Sequence, residues 1–160
     1  MPAAMTLISS QTLGSTATSV TFSSIASGFR DLRLVITGTI TAGTVDAIVA
    51  RYNGDTASNY SVVWATGDGT TASSSTQATT YVSLGVMGNG QSVSTVDILD
   101  YAQTDKHKTS ISRGNQPGWG TRMNAGRWAS TSAITSILIY MESASTFSAG
   151  DSFYLYGILG

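Results

Sequence analysis

The chain has 160 residues, 11% of them charged, with a formal net charge of −1, one histidine and no cysteine. That length fits one domain. The charge balance gives no electrostatic case for nucleic acid or an anionic membrane, and the lack of cysteine excludes disulfides and thiolate metal sites. Roughly three residues in ten are Ser or Thr, beside 17 glycines, a composition suited to strands and turns.

In chain order, the opening Met1–Thr6 has no basic region and no long apolar run, so no signal peptide is expected, and residues 1–5 read as a short arm. No stretch approaches the ~20 apolar residues of a membrane helix. No window carries a helical period, whereas alternation of period two recurs throughout. Strands are expected at Thr6–Leu13, Ser19–Phe22, Asp31–Ile40, Val45–Tyr52, Ser61–Thr66 and Thr79–Met87. More follow at Ser92–Tyr101, Lys108–Arg113, Gly126–Ser130, Ile134–Met141 and Ser152–Ile158. Met87-Gly88-Asn89-Gly90-Gln91 reads as a type I′ hairpin turn, because Asn-Gly accepts positive φ angles. Gly67–Ala78 and Gly114–Ala125 read as loops, the first polar and exposed, the second holding Pro117, Trp119 and Arg122. Asn59-Tyr60-Ser61 fits the glycosylation pattern by chance. Many short strands with frequent turns predict an all-β fold, an antiparallel, jelly-roll-like β-sandwich spanning residues 1–160 as one domain.

Two strands stand apart. In Asp31–Thr37 the apolar Leu32, Leu34 and Ile36 share one face and polar residues the other. Ile137–Met141 and Phe153–Ile158 are apolar on both faces. A sandwich covers one face, so a loop or a second subunit must cover the other. Ile139, Tyr154, Tyr156 and Ile158 are therefore expected at a subunit interface.

Catalytic chemistry finds little support. His107 lies between two lysines, as on a solvated turn, and no Gly-x-Ser-x-Gly elbow accompanies it. Glu142 is the one glutamate, and Asp97 and Asp100, three positions apart on a strand, face opposite sides. Asp46, Asp55, Asp68 and Asp151 fall in or near turns, where aspartate stabilises the backbone. Asn53-Gly54-Asp55 and Gly67-Asp68-Gly69 lack the ligand spacing of an EF-hand. Gly88-Asn89-Gly90 is followed by no phosphate-loop lysine. Of the three tryptophans, Trp64 and Trp128 read as core, and Trp119, near Arg122 in a Gly-rich loop, as an exposed contact residue. No enzyme activity, cofactor or metal is expected.

Four phrases resemble a family of tailed-bacteriophage virion structural proteins. They are Phe29-Arg30-Asp31-Leu32-Arg33-Leu34-Val35, Tyr52-Asn53-Gly54-Asp55-Thr56 with Asn59-Tyr60-Ser61, Arg127-Trp128-Ala129-Ser130-Thr131-Ser132-Ala133-Ile134, and Phe147–Ile158 with its closing Leu155-Tyr156-Gly157-Ile158. They run in the family's order from about residue 29 onward. The resemblance implies a structural β-domain found on capsid surfaces and at the ends of tail proteins, with no catalytic set to transfer. The chain shows no attachment domain, which favours a capsid decoration (cement) protein that binds the major capsid protein. A tail or receptor-binding adhesion protein is the alternative, and a carbohydrate-active enzyme a distant third. The implied location is the virion after synthesis in the host cytoplasm. The partners are the capsid protein and further copies of the chain, most simply as a homotrimer, since icosahedral shells offer three-fold sites.

Overall fold

Alternation along each segment decides which side chains turn inward, and two sheets close over the result. The computed structural model describes residues 4–41, 45–143 and 145–160. Met5 belongs to the first strand, and residues 1–3 of the expected arm lie outside the described residues. The strands are β1 (Met5–Thr12), β2 (Ser19–Phe22), β3 (Asp31–Gly38), β4 (Val45–Tyr52), β5 (Tyr60–Gly67) and β6 (Ala72–Thr79). They continue as β7 (Val82–Gly88), β8 (Ser92–Leu99), β9 (Lys108–Gln116), β10 (Gly120–Trp128), β11 (Ile137–Met141) and β12 (Ser152–Ile158). Eight form one sheet in the order β1-β12-β3-β8-β9-β10-β5-β6, and four form the other, β2-β11-β4-β7. Every pairing is antiparallel. The fold is all-β, an antiparallel sandwich of jelly-roll type, as the periodicity predicts.

One half of the core is built from large apolar side chains. Leu32, Leu34 and Ile36 of β3, and Phe153 and Leu155 of β12, are fully buried. They face Val20 and Phe22 of β2, Ile137, Ile139 and Met141 of β11, and Ile48 and Ala50 of β4. Phe147 meets Phe153 edge to face at 4.9 Å between ring centres. Each fully buried Leu, Ile or Phe contributes about 1.5–3 kcal/mol over its exposed state.

The other half, where β7 faces β8, β9 and β10, mixes glycine and serine with apolar side chains such as Val82, Leu84 and Val96. Ser83, Ser94, Ser110 and Ser112 are buried. A methyl group on Gly114 would lie 2.3 Å from Ser94 Oγ, and one on Gly126 2.8 Å from Ser110 Oγ. Gly85, at φ 151°, leaves its space to Ser94 as well. Gly114 and Ser94, like Gly126 and Ser110, are cross-strand partners within the large sheet, whereas Gly85 of β7 meets Ser94 of β8 across the two sheets.

Several expected boundaries shift. Gly67–Ala78 is not a loop, since Ala72–Thr79 is strand β6, exposed along all but its last residue. Its strand state comes from backbone pairing with β5 at the sheet edge, so it leaves no alternation to read. Gly114–Ala125 is likewise mostly strand: β9 runs to Gln116, β10 starts at Gly120, and only Pro117-Gly118-Trp119 turn between them. Thr79–Met87 divides into the end of β6 and the start of β7, in different sheets. Met87–Gln91 is not a hairpin, because it carries the chain from one sheet to the other and Asn89 has no positive φ. Ser92 Oγ braces this crossing, accepting the Gly88 N–H and donating to the Gly90 carbonyl.

Candidate functional site

The outward face of the eight-stranded sheet carries exposed apolar side chains, among them Val63, Ile111 and Met123. Along β12, Phe153 and Leu155 point inward, so Tyr154, Tyr156 and Ile158 point outward and are half-buried. The Tyr154 and Tyr156 rings stack at 6.5 Å. Cross-strand pairing sets Leu7 opposite Tyr156 and Met5 opposite Ile158. Leu7 and Met5 are themselves exposed. These three β12 residues thus lie on the outer face of the sheet. Ile139 does not. It is fully buried in the core, and Leu138 and Tyr140 occupy the outer side of β11. Apolar residues on both faces of a strand hid which one faced inward. Arg51 covers that outer side, its guanidinium 5.0 Å over the Tyr140 ring.

In the middle of the large sheet Arg33 grips Asp97 through two hydrogen bonds of 2.7 and 3.1 Å. That pairing raises the Arg33 pKa. Beyond it, Ile111 of β9, Val63 of β5 and Met123 of β10 stand 58%, 55% and 61% exposed. Pairing brings Ile111, Ala125 and Val63 into one row across the sheet, with Met123 in the next. Three shallow depressions of about 400, 380 and 350 Å³ follow these rows. A face so apolar between ordinary polar strands is of the kind that meets another macromolecule.

Trp119 and Arg122, expected side by side in a loop, are separated by the hairpin they belong to. Arg122 lies in β10, on the same side as the buried Asn124 and Trp128. Its guanidinium sits 4.7 Å over the Trp64 ring and donates to Asn124 Oδ1 at 3.0 Å. Burial pushes the Arg122 pKa down. Trp64 is therefore half-buried under an arginine instead of lying in the core, while Trp128 is core. Trp119 stays in the β9–β10 turn and lines a cleft of about 780 Å³ shared with the β5–β6 turn.

The acidic residues hold backbone. Asp55 accepts from Ala57 N, Asn59 Nδ2 and Trp128 Nε1, at 2.9, 2.9 and 2.7 Å. Asp151 accepts from Thr39 N and Ser148 N, and Gly38 leaves it the room. Asp46 accepts from Ala47 N and Ser143 N. Asp68 accepts from Thr70 N and Thr71 N. His107 is exposed, its Nδ1 facing the Arg127 guanidinium. Glu142 accepts from the Tyr81 hydroxyl. Among the described residues no three His, Cys, Asp or Glu side chains converge as a metal site, and no helix is long and apolar enough to cross a membrane.

One buried charge was not anticipated. Lys108 is fully buried, its Nζ donating to the Gln103, Lys106 and Thr131 carbonyls, the latter two at 2.9 and 3.1 Å. Desolvation lowers its pKa. The only sequence signal was its inward register on β9.

No family model and no curated protein matches the chain. Among solved structures, the galectin LEC-6 of Caenorhabditis elegans aligns with a TM-score of 0.42 at 12% identity, over 91% of this chain and 94% of the galectin. The alginate lyase Aly36B aligns with a TM-score of 0.40 at 11% identity, over 93% of this chain and 77% of the lyase. A PL-14 alginate lyase from Aplysia kurodai gives 0.34 at 10%, over 84% and 70%.

Proposed function

We propose that the protein is a bacteriophage virion structural protein that decorates the capsid and stabilises the shell. The resemblance of the Phe29–Val35, Tyr52–Ser61, Arg127–Ile134 and Phe147–Ile158 phrases to virion proteins supports this reading. The observation that carries it is the outward face of the eight-stranded sheet. There Val63, Ile111 and Met123 form an exposed apolar field across β5, β9 and β10, with Arg113 opposite Met123 and the Arg33–Asp97 ion pair beside it. Such a broad, largely apolar face suits contact with a lattice. Contacts that are weak singly add up when the partner surface repeats.

In this reading Val63, Ile111 and Met123 meet the major capsid protein. Tyr154, Tyr156 and Ile158, on the β1–β12 side of the same sheet, meet another copy of the chain around a three-fold site. Aromatic side chains are of the type enriched at interfaces. Particles lacking the protein should release DNA at lower temperature than complete particles, and Met123→Asp protein should fail to restore the loss. Particles that are equally heat-stable without it but adsorb poorly to cells would favour the tail or adhesion reading. Tyr156→Asp should leave a folded monomer where the wild type scatters light as an oligomer.

A further inference from the structure

The cleft beneath Trp119 lies at the end of the apolar face, sharing Asn115 and Thr121 with one of its depressions, and its chemistry differs. Its walls are the β5–β6 turn and the β9–β10 turn. The two turns are locked together: Gly120, at φ 133°, runs so close to Gly67 that a methyl group there would lie 2.4 Å from the Gly67 carbonyl oxygen. The cleft therefore exists before any ligand arrives, which lowers the ordering cost of binding. Its volume of about 780 Å³ lies in the range of small-molecule sites.

The lining selects a ligand class. Trp119 supplies a half-buried indole, held in its tight turn by a 3.1 Å bond from its N–H to the Gln116 carbonyl. Around it stand hydroxyls and amides, among them Thr70, Thr71, Asn115 and Thr121, with Asp68 as the one charged group. Among the described residues, no Lys, Arg or His and no aliphatic side chain lines the cleft. Asp68 Oδ1 is occupied by the Thr70 and Thr71 N–H groups at 2.8 and 2.6 Å and by the Thr70 hydroxyl at 2.8 Å. This orients the carboxylate as a fixed acceptor with its second oxygen to offer. An anion would meet a negative charge and no cation. A purely apolar ligand would desolvate hydroxyls and amides without pairing them. A ligand with an apolar face for the indole and many hydroxyl groups for the rim satisfies both.

We infer that this cleft binds a neutral oligosaccharide, one sugar ring stacking on Trp119 and its neighbours hydrogen-bonding with Asp68, Asn115 and the threonine hydroxyls. This goes beyond the decoration reading and does not rest on it.

The test is titration of the purified chain with neutral tetrasaccharides: α-1,4- and β-1,4-linked glucose, β-1,4-linked N-acetylglucosamine and β-1,4-linked galactose. Tetragalacturonate serves as the anionic contrast. Calorimetry and the amide NMR shifts of the wild type are the readouts. At least one neutral sugar should bind with a dissociation constant of about 1 mM or tighter, moving the amides of Thr70, Thr71 and Gly118–Thr121. Trp119→Ala should weaken that binding at least tenfold with its melting temperature unchanged, and Trp119→Phe should retain most of it. If Trp119→Ala does not fold, the wild-type shift map decides alone. Absence of binding by all four neutral sugars, shifts that map elsewhere, binding unchanged in Trp119→Ala, or tighter binding of tetragalacturonate would overturn the proposal.

Discussion

The two halves of this core solve the same problem with different mixtures of side chains. Between β3–β12 and β2–β11–β4, large aliphatic and aromatic side chains keep the sheets apart and fill the gap. Between β7 and β8–β9–β10, glycines and buried serines stand among apolar side chains such as Val82, whose Cγ1 would lie 3.2 Å from a methyl group on Gly126. The first half gains stability from area removed from water. The second tolerates buried hydroxyls such as Ser94 and Ser83 whose Oγ atoms find no hydrogen-bond partner among the described residues. Burial alone does not say how much a residue contributes.

The largest expected effect falls in the aliphatic half. Leu34→Ala should cost about 3–4 kcal/mol in a denaturant melt, because it leaves a cavity the neighbouring strands cannot close. A loss under 1 kcal/mol would mean that the apolar half is loosely filled. At the end of the glycine–serine half, Lys108→Met should cost about 2–3 kcal/mol by leaving the Gln103, Lys106 and Thr131 carbonyls short of a donor. The same melt measures it. Gly114→Ala should cost about 1–3 kcal/mol through overpacking against Ser94. Adding Ser94→Gly should recover part of that loss, and a strictly additive double mutant would show that the two residues do not crowd each other across the β8–β9 pair.

A smaller effect is expected where the halves meet. Trp128 packs with Tyr52 and Tyr60, at 5.7 and 6.1 Å between ring centres, and donates to Asp55. The N–H groups of Ala57, Asn59 and Trp128 hold the Asp55 carboxyl below its ordinary value of 3.8. The unfolded chain therefore binds this proton more readily than the folded one. The stabilisation is complete above pH 3.8 and is lost as pH falls through the lower folded value. Asp55→Asn should cost about 1 kcal/mol at neutral pH, since the carboxylate is partly solvated, and should flatten the acid limb of the stability curve. The smallest change should come from Ser94→Ala. Removing a buried hydroxyl without a partner should leave stability unchanged within about 0.5 kcal/mol or raise it. A loss above 1 kcal/mol would show that the hydroxyl has a partner after all.

The halves were not equally legible. Leu32, Leu34 and Ile36 announce their strand and its inward face, because polar residues separate them. The turn aspartates were legible too: Asp46, Asp55, Asp68 and Asp151 all bond backbone N–H groups. The candidate site was read in part. Tyr154, Tyr156 and Ile158 lie on an open face, and Trp119 sits in a turn. Val63, Ile111 and Met123 were missed, because an exposed apolar residue and a buried one look alike until the partner sheet is placed. Ile139 was assigned to the wrong side for the same reason.

What the amino-acid order determined by itself is therefore local: period-two backbone, turns at Gly, Asn and Asp, and the inward face wherever apolar and polar residues alternate. Tertiary structure decided the rest. Strand β6 exists because β5 offers it a backbone ladder, and its own side chains are nearly all in water. The Met87–Gln91 segment crosses between sheets instead of folding back within one, since β8 pairs with β3 and β9, and β7 with β4. Lys108 is buried because carbonyls at 103, 106 and 131 converge on its amine. The cleft at Trp119 forms only where two turns from different hairpins touch through Gly120 and Gly67. In each case the deciding partner is backbone, and backbone groups, identical in every residue, leave no mark in a sequence until the fold brings them together.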